Sequence, residues 1–560
     1  MSNTQKLLVA ISLLFNVTCF SQTVIEKTQD LSKNSSKGYF YDAIQNTETG
    51  GIEVTYKFKK SSKDADASYE TYFFDKNLNF IKNEETKVNI VDKSPYTKTS
   101  VYASVGGCSS FSILSTKLYL TKQTYNYEWN SDKKRFVGKR IESIEIKPAN
   151  DDKRAYSGYD AFREKETGKM MVLTSSETKG EDKKIKKEFI LLEIKPDLTT
   201  KEIALPLEAS QLVYSDITKK ENIVTNDGED NVTLDNGDMI FVFAPTFNKT
   251  SSIDYKKYTF LRIDKNGIIK ENFKIDAPSA NLIITGLGQA NDGSIYLCGS
   301  YSKEEKTFDQ LYKEYSPLEN PCYTGGSNYR MDTYETKTEN MEMDFFTMIK
   351  IKNGKTEWIK NTAIEDLAKN LKTPDNKKKT PSYKGKRFLI EYFNVNSNGD
   401  VFISGQLLGR VKLGESSVKA YKEVVCLQIS NMGDVKAQYG IQPESISDKM
   451  NTMFTIPQDF ISTNNGSTLY WNLMEVKAIK GYASFFDAYN GSPTFYPNYY
   501  PSIIKINAST NTIEDYKIIG DRKFLLNKTV PYIYNKADKS IIYIGSDKEK
   551  KLWLAKYTMN

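Results

Sequence analysis

The sequence predicts an all-β chain in which one four-stranded unit is repeated along almost the whole length. Three observations carry that prediction. Short runs of Val, Ile, Tyr and Phe alternate with polar residues, the period of a half-buried strand, while helical periodicity is nearly absent. The runs are closed by Asn-Gly and Asp-Gly pairs, the strongest short-range hairpin signal. These turns come in two kinds that alternate along the chain.

The first element is a leader. Lys6 precedes the apolar run 7–15, and Cys19 and Ser21 sit three and one positions before a cleavage point ahead of Gln22. Residues 1–21 therefore read as a secretory signal peptide. The apolar run covers about half of the roughly 20 residues a transmembrane helix needs, and no other run is longer, so no transmembrane segment is expected. Lipid attachment at Cys19 is the lesser alternative, because Thr18 before it is a poor fit to such processing. A mature end beginning at Gln22 resembles exported proteins of Bacteroidota-type bacteria, which implies a bacterial envelope: periplasm, outer-membrane association or cell surface.

The repeat begins after the leader. One kind of turn precedes an apolar strand that ends in a small residue, as in Asp292-Gly293-Ser-Ile-Tyr-Leu-Cys-Gly299 and Asn398-Gly399-Asp-Val-Phe-Ile-Ser-Gly405, with Asn236-Gly237 of the same kind. Weaker copies follow Gly51, Lys117, Gly168, Gly466 and Lys539. The second kind closes a strand ending in Ile or Leu: Ile263-Asp-Lys-Asn266-Gly267, Asn353-Gly354 and Met432-Gly433. Degenerate versions start at Phe74, Trp129, Ile194 and Ile506. From Gly237 to Gly267 is 30 residues and from Gly399 to Gly433 is 34, so each pair brackets one meander.

Meanders of four short strands repeated every 50 to 70 residues or so resemble β-propeller blades. The units run 38–92, 98–148, 155–205, 210–278, 281–362, 387–442, 450–520 and 528–560. The resemblance implies one propeller of seven or eight four-stranded blades over residues 22–560. The last unit has only three strands, and a strand near 23–27 or 38–43 is expected to complete it, because a ring must hide its edges. The alternative is a separate N-terminal β domain to about residue 150 followed by a smaller propeller; a tandem of sandwiches ranks third. Trp-Asp, kelch and sialidase signatures are all absent, so the resemblance is to the architecture and to no specific family.

Blade topology sorts the connections. Turns between first and second and between third and fourth strands share one face, and both kinds of turn belong there. The long segments 301–341, 362–386, 406–422 and 471–501 all fall on the opposite face, which is where binding is expected. The segment 481–500 is the candidate contact surface, through Tyr482, Phe485, Phe486, Tyr489, Phe495, Tyr496, Tyr499 and Tyr500. The same rings could instead fold down as a satellite core. The lysine-rich run 376–387 reads as a solvated linker, with contact to anionic headgroups or acidic glycan as the alternative. The acidic stretch 227–231 with Asp235 reads as a solvated turn, although its oxygens would suit calcium.

Composition excludes more than it names. The 560 residues include no histidine, where about a dozen are usual, so imidazole bases, Ser-His-Asp hydrolysis and His-bound metals are ruled out. Nothing has CxxC, P-loop, dinucleotide or GxSxG spacing. Beyond the leader, Cys298 and Cys426 lie in strand-like runs as buried thiols, while Cys108 and Cys322 look like loop residues; a Cys298–Cys322 bridge is the alternative. The lysine excess over arginine argues against nucleic acid in spite of the net charge of +7. The expectation is a binding or scaffold protein, an accessory subunit of a cell-envelope or outer-membrane complex, with a protein partner, no cofactor and no catalytic residues. The rival is a glycan-binding or glycan-active propeller working with carboxylates alone; no pair stands out, and Asp160 and Asp216, near unit starts where inner strands face the channel, read first as exposed or capping carboxylates.

Overall fold

The computed structural model describes residues 24–559, apart from 59–65, 90–93, 107–116, 131, 134, 147–154, 164–168, 180–184, 196, 198, 209, 217–236, 246–251, 309, 311–341, 373, 375–380, 387, 414–415, 463–465, 482–493, 536–537 and 548. Eight small antiparallel sheets form a ring, an eight-bladed β-propeller. Blade 1 is Tyr39–Gln45, Ile52–Phe58, Asp66–Phe74 and Phe80–Asn89. Blade 2 is Tyr96–Gly106, Lys117–Asn130 and Arg135–Ile146; blade 3 runs from Ala155–Arg163 to Thr200–Ala204, and blade 4 from Ser210–Asp216 to Ile269–Asp276. Blade 5 runs from Ile283–Gln289 to Lys355–Ala363, blade 6 from Phe388–Val395 to Val435–Ile441, and blade 7 from Gln458–Ser462 to Thr512–Ile518. Blade 8 is closed from both ends of the chain. Its strands Tyr532–Asn535, Ser540–Ser546 and Leu552–Thr558 receive Val24–Gln29 as the outermost strand, in the register Val24↔Tyr557 to Gln29↔Leu552. The candidate at 38–43 instead forms the first strand of blade 1.

The turns explain why these strands end where they do. Asp264 accepts from the backbone N–H of Asn266 and Ile268 at 2.9 Å each, and Gly267 takes φ +79°, a left-handed conformation open to glycine at little steric expense. Asn396 does the same between the first two strands of blade 6, accepting from Asp400 N–H at 2.9 Å. The small residue at the end of each second strand also has a cause. The first strand bulges at Thr285 in blade 5 and at Glu391 in blade 6, which drives its backbone against the neighbour. A Cβ on Gly405 would lie 1.8 Å from the Leu389 carbonyl oxygen, and one on Gly299 would lie 2.2 Å from that of Ile283.

The core sits between blades. On the second strand of blade 4, Phe241 and Phe243 pack toward blade 3 while Ile240 and Val242 pack toward blade 5. Both faces are buried, so the strand reads as a continuous apolar run instead of an alternation. Each fully buried side chain of this size stabilises by roughly 1.5–3 kcal/mol over exposure. Equivalent cores join blades 5 and 6, 6 and 7, 7 and 8, and 8 and 1. The first strands of blades 4 and 5, 5 and 6, 6 and 7, and 8 and 1 contact one another around the ring.

Two expectations need correction. Blade 2 has three described strands instead of four: nothing in Leu118-Tyr-Leu-Thr-Lys-Gln-Thr-Tyr-Asn-Tyr-Glu-Trp129 can turn the chain, so Lys117–Asn130 is a single strand. The turn face is also not uniformly short, because residues 217–236 join the first and second strands of blade 4.

Candidate binding face

Blades 6 and 7 depart from the four-stranded plan in the same way. In blade 7, Thr468–Gly481 and Thr494–Asn507 pair without a break from Thr468↔Asn507 to Gly481↔Thr494. The first strand of the blade accompanies them only to Leu473, and the fourth only from Ser502. In blade 6, Val401–Leu413 and Ser416–Ile429 continue past both flanking strands, from Leu408↔Tyr421 to Leu413↔Ser416. Each pair thus leaves its blade as a two-stranded ribbon. Both ribbons connect second to third strands, so they share a face, and their six unflanked residue pairs in blade 6 and eight in blade 7, at about 3.4 Å per residue, span roughly 20 to 27 Å. The expectation of loops at 406–422 and 471–501 is corrected accordingly: most of both segments is strand.

The chain between the two blades ties the ribbons together. Two short 3-10 turns, Ser445–Ser447 and Asn451–Met453, lie against the blade 7 ribbon, and the second also touches the blade 6 ribbon. Asn451 accepts from Ala478 N–H at 2.7 Å, and Gln406 accepts from Ile456 N–H at 2.6 Å while donating to the Lys422 carbonyl at 3.1 Å. At the base of the blade 7 ribbon, Glu475 is fully buried. It accepts from Ser445 N–H at 2.9 Å, the Tyr500 hydroxyl at 3.0 Å and the Tyr516 hydroxyl at 2.5 Å. Burial pushes both tyrosine hydroxyls far above their ordinary pKa, and the adjacent carboxylate adds to the shift.

The eight aromatics singled out from the sequence divide three ways. Tyr482, Phe485, Phe486 and Tyr489 lie outside the described residues. Tyr500 is buried, held by Glu475, and Tyr499 packs against the cores on either side of blade 7. These two are structural, as the satellite-core reading has it. Phe495 and Tyr496 are half-buried on the ribbon, next to the exposed Ile479 opposite Tyr496.

The other candidates are placed as follows. Asp160 and Asp216 fall on first strands, with side chains outside the described residues, as are the whole stretch 227–235 and Cys108 and Cys322. Cys298 and Cys426 are buried in the cores on the two sides of blade 6, where desolvation pushes the Cys426 thiol well up. The expected solvated linker is packed where it is described. Tyr383 is buried, its N–H donates to Gln438 at 2.6 Å, its hydroxyl meets Ser300 at 3.1 Å, and burial pushes its pKa up to about 12. Upstream, the helix Ile364–Lys369 and the strand Leu371–Lys372, parallel to Val435–Ile441, cover the outer edge of blade 6.

Sequence reasoning missed one constellation at the ring centre. Asp459, on the first strand of blade 7, accepts from the Tyr532 hydroxyl of blade 8 at 2.6 Å, and Tyr392 of blade 6 faces the same carboxylate. Desolvation by these rings pushes the Asp459 carboxyl above the ordinary aspartate range, outweighing the hydrogen bonds that pull it down. Three separate blades supply the three groups, and no local motif marks them. Among the described residues no group of three carboxylates or thiols is placed to hold a metal ion, and no helix is long and apolar enough to cross a membrane.

No known family matches the chain, and no curated protein does. Among solved structures it is similar to a puromycin hydrolase at 8% identity, with 88% of this chain and 56% of that one covered and a TM-score of 0.26. A variant of Synechocystis apocarotenoid oxygenase matches at 10% identity over 89% of this chain and 90% of that one, with a TM-score of 0.26. A mannose phosphorylase from Leishmania mexicana, in complex with a phosphate ion, matches at 10% identity over 72% and 84%, with a TM-score of 0.19. The chain spans little more than half the length of the hydrolase. At these scores the propeller is read from the chain's own sheets.

Proposed function

We propose that the chain is exported to a bacterial envelope and works there by binding, as a scaffold or accessory subunit whose partner is a protein of the envelope or outer membrane. The observation that carries this reading is the pair of ribbons on one face, joined through Asn451 and Gln406 into a single ordered platform. Rigid elements hold a contact surface more precisely than loops, and less ordering entropy is lost when a partner arrives. The leader features of residues 6–22 support export.

The glycan-hydrolase alternative needs two opposed carboxylates roughly 5–10 Å apart. Asp459 is instead held between tyrosine hydroxyls, which favours a structural role for it.

The test is mild crosslinking and affinity purification from native envelopes, with the intact chain compared against one whose residues 479–496 are replaced by Asn-Gly. Recovery of the same envelope protein with the intact chain only is the expected result. Recovery of nothing by either would overturn the scaffold reading.

A further inference from the structure

Blade 7 carries a polar pair on the side that faces blade 8. Asp459 on its first strand and Asn472 on its second are cross-strand partners, so both side chains leave the sheet on one side. Tyr532 and Tyr543 form the matching pair in blade 8. The Tyr532 hydroxyl donates to the Asp459 carboxylate at 2.6 Å, and the Tyr543 hydroxyl donates to the Asn472 side-chain oxygen at 2.9 Å. Around these four groups the two blades meet through an apolar core.

Both blade 7 residues are left incomplete. The Asp459 carboxylate accepts from Tyr532 and from the Phe460 backbone N–H at 2.7 Å, and Tyr392 faces it from blade 6, but no lysine or arginine among the described residues pairs with it. An ionised carboxylate has about four acceptor sites, so these bonds fix its orientation without filling or neutralising it. Asn472 is 1% exposed, and its Nδ2 donor has no hydrogen-bond partner among the described residues. An uncompensated charge and an orphaned donor are each costly inside a protein, and a site that receives a ligand is a place where a fold retains them. The pair is also reachable. Asp459 and Tyr392 keep solvent-accessible surface, although desolvation by the surrounding protein is the largest influence on the proton affinity of each. Groups enclosed on most sides and still wet line a recess, and the first strands that carry these two set it at the ring centre.

From this geometry we propose that Asp459 and Asn472 bind a small amino alcohol entering from the ring centre, its ammonium group paired with the Asp459 carboxylate and its hydroxyl oxygen accepting from Asn472 Nδ2. The ammonium supplies the charge that the fold withholds, and the hydroxyl supplies the missing acceptor. Cross-strand partners have Cβ atoms about 5 Å apart, a span that one two-carbon amino alcohol bridges. A metal ion fits less well, because Asn472 turns an N–H and not a lone pair to the site. A neutral diol would leave the carboxylate uncompensated. The site adds a small ligand to the protein partner read from the ribbons and does not depend on it.

The experiment is saturation-transfer NMR and calorimetry of the full mature chain with ethanolamine, and with ethylamine and ethylene glycol as probes that lack the hydroxyl or the charge. Saturable binding of ethanolamine, weaker binding of ethylamine and none of ethylene glycol are expected. Asp459→Asn keeps the shape and should lose about tenfold to a hundredfold in affinity for ethanolamine, the worth of a hydrogen bond to a charged group. Asn472→Leu should bring ethanolamine down to the level of ethylamine. Asp366→Asn removes a carboxylate from the helix Ile364–Lys369 at the outer edge of blade 6 and should bind as the parent does. Asp459→Asn takes away a charge without a counterion, so it is expected to fold; if either site variant does not, the ranking of the three probes on the parent still decides the matter. No saturable binding of ethanolamine would overturn the proposal and leave an internal water as the partner of Asn472. Ethylamine or ethylene glycol binding as tightly as ethanolamine, or undiminished affinity in Asp459→Asn, would overturn it as well.

Discussion

Glu475→Leu tests whether the base of the blade 7 ribbon is a structural node. The carboxylate is fully enclosed and accepts three hydrogen bonds, from Ser445 N–H, Tyr500 and Tyr516. Leucine fills a similar volume, so the main loss is the acceptors. Each buried donor left without a partner costs about 1–3 kcal/mol, which puts the substitution at about 3–6 kcal/mol once the hydroxyls reorient to recover part of it. Removing donors together with the acceptor should reverse most of this. Glu475→Leu/Tyr500→Phe/Tyr516→Phe leaves only the Ser445 N–H orphaned and should regain about 2–4 kcal/mol. The assay is urea unfolding followed by emission of the buried Trp471, with hydrogen exchange across the Ser445–Ser447 turn as the local readout. Faster exchange at that turn in the single variant, with partial recovery in the triple variant, is the expected pattern. A triple variant no more stable than the single one would refute the reasoning, since the loss would then come from packing. Tyr500→Phe alone should leave partner recovery unchanged, because the ring never reaches the surface.

Three further substitutions separate causes elsewhere. Asp459 has a folded pKa above its unfolded value of about 3.9, so its contribution is present below that value and is lost as pH rises through the raised folded one. Asp459→Asn should therefore be at least as stable as the parent at pH 7, and its unfolding midpoint should fall less between about pH 4 and pH 8; a parallel pH profile would show that the carboxyl is not desolvated. Gly405→Ala places a methyl 1.8 Å from a backbone oxygen and should cost about 3 kcal/mol, at the top of the range for overpacking. Gly293→Ala meets nothing within 4 Å and has only its φ of +79° to oppose, about 1–2 kcal/mol. Equal losses in urea unfolding would mean that the small residue at the end of the second strand is not there for steric reasons.

How much of the fold was legible depends on the range over which each signal acts. The blade borders were readable because Asp264-Lys-Asn-Gly267 and its relatives satisfy their hydrogen bonds within five residues. Even the closing strand could be placed near its true position, since a three-stranded last unit demands a fourth from somewhere. Blade 2 hides its plan because the turn signals near Lys117 and Trp129 bracket a stretch with no residue that turns the chain, and that stretch is one long strand. The ribbons do not read as strands in the sequence because Gly481 and Pro497 are poor strand residues in a central position, while a two-stranded ribbon has no outer neighbours and tolerates them at its edges. The packing of Tyr383 under residue 438, and the meeting of Tyr392, Asp459 and Tyr532, join positions 55 to 140 residues apart, and no local pattern records such distances.

The aromatic segment shows where sequence reasoning can be sharpened. Eight rings in 20 residues look like one surface, but a strand sends successive side chains to opposite sides, so rings at 495, 496, 499 and 500 cannot all face one partner. Depth along the ribbon divides them further. Tyr499 and Tyr500 lie opposite Val476 and Glu475, where the blade cores and the 3-10 turns close over the strand, whereas Phe495 and Tyr496 lie opposite Lys480 and Ile479 beyond that cover. The ribbon is therefore anchored by its inner rings, while its outer ones lie beyond the blade cores. Substitutions at 499 and 500 should then register in stability, and substitutions at 495 and 496 in binding.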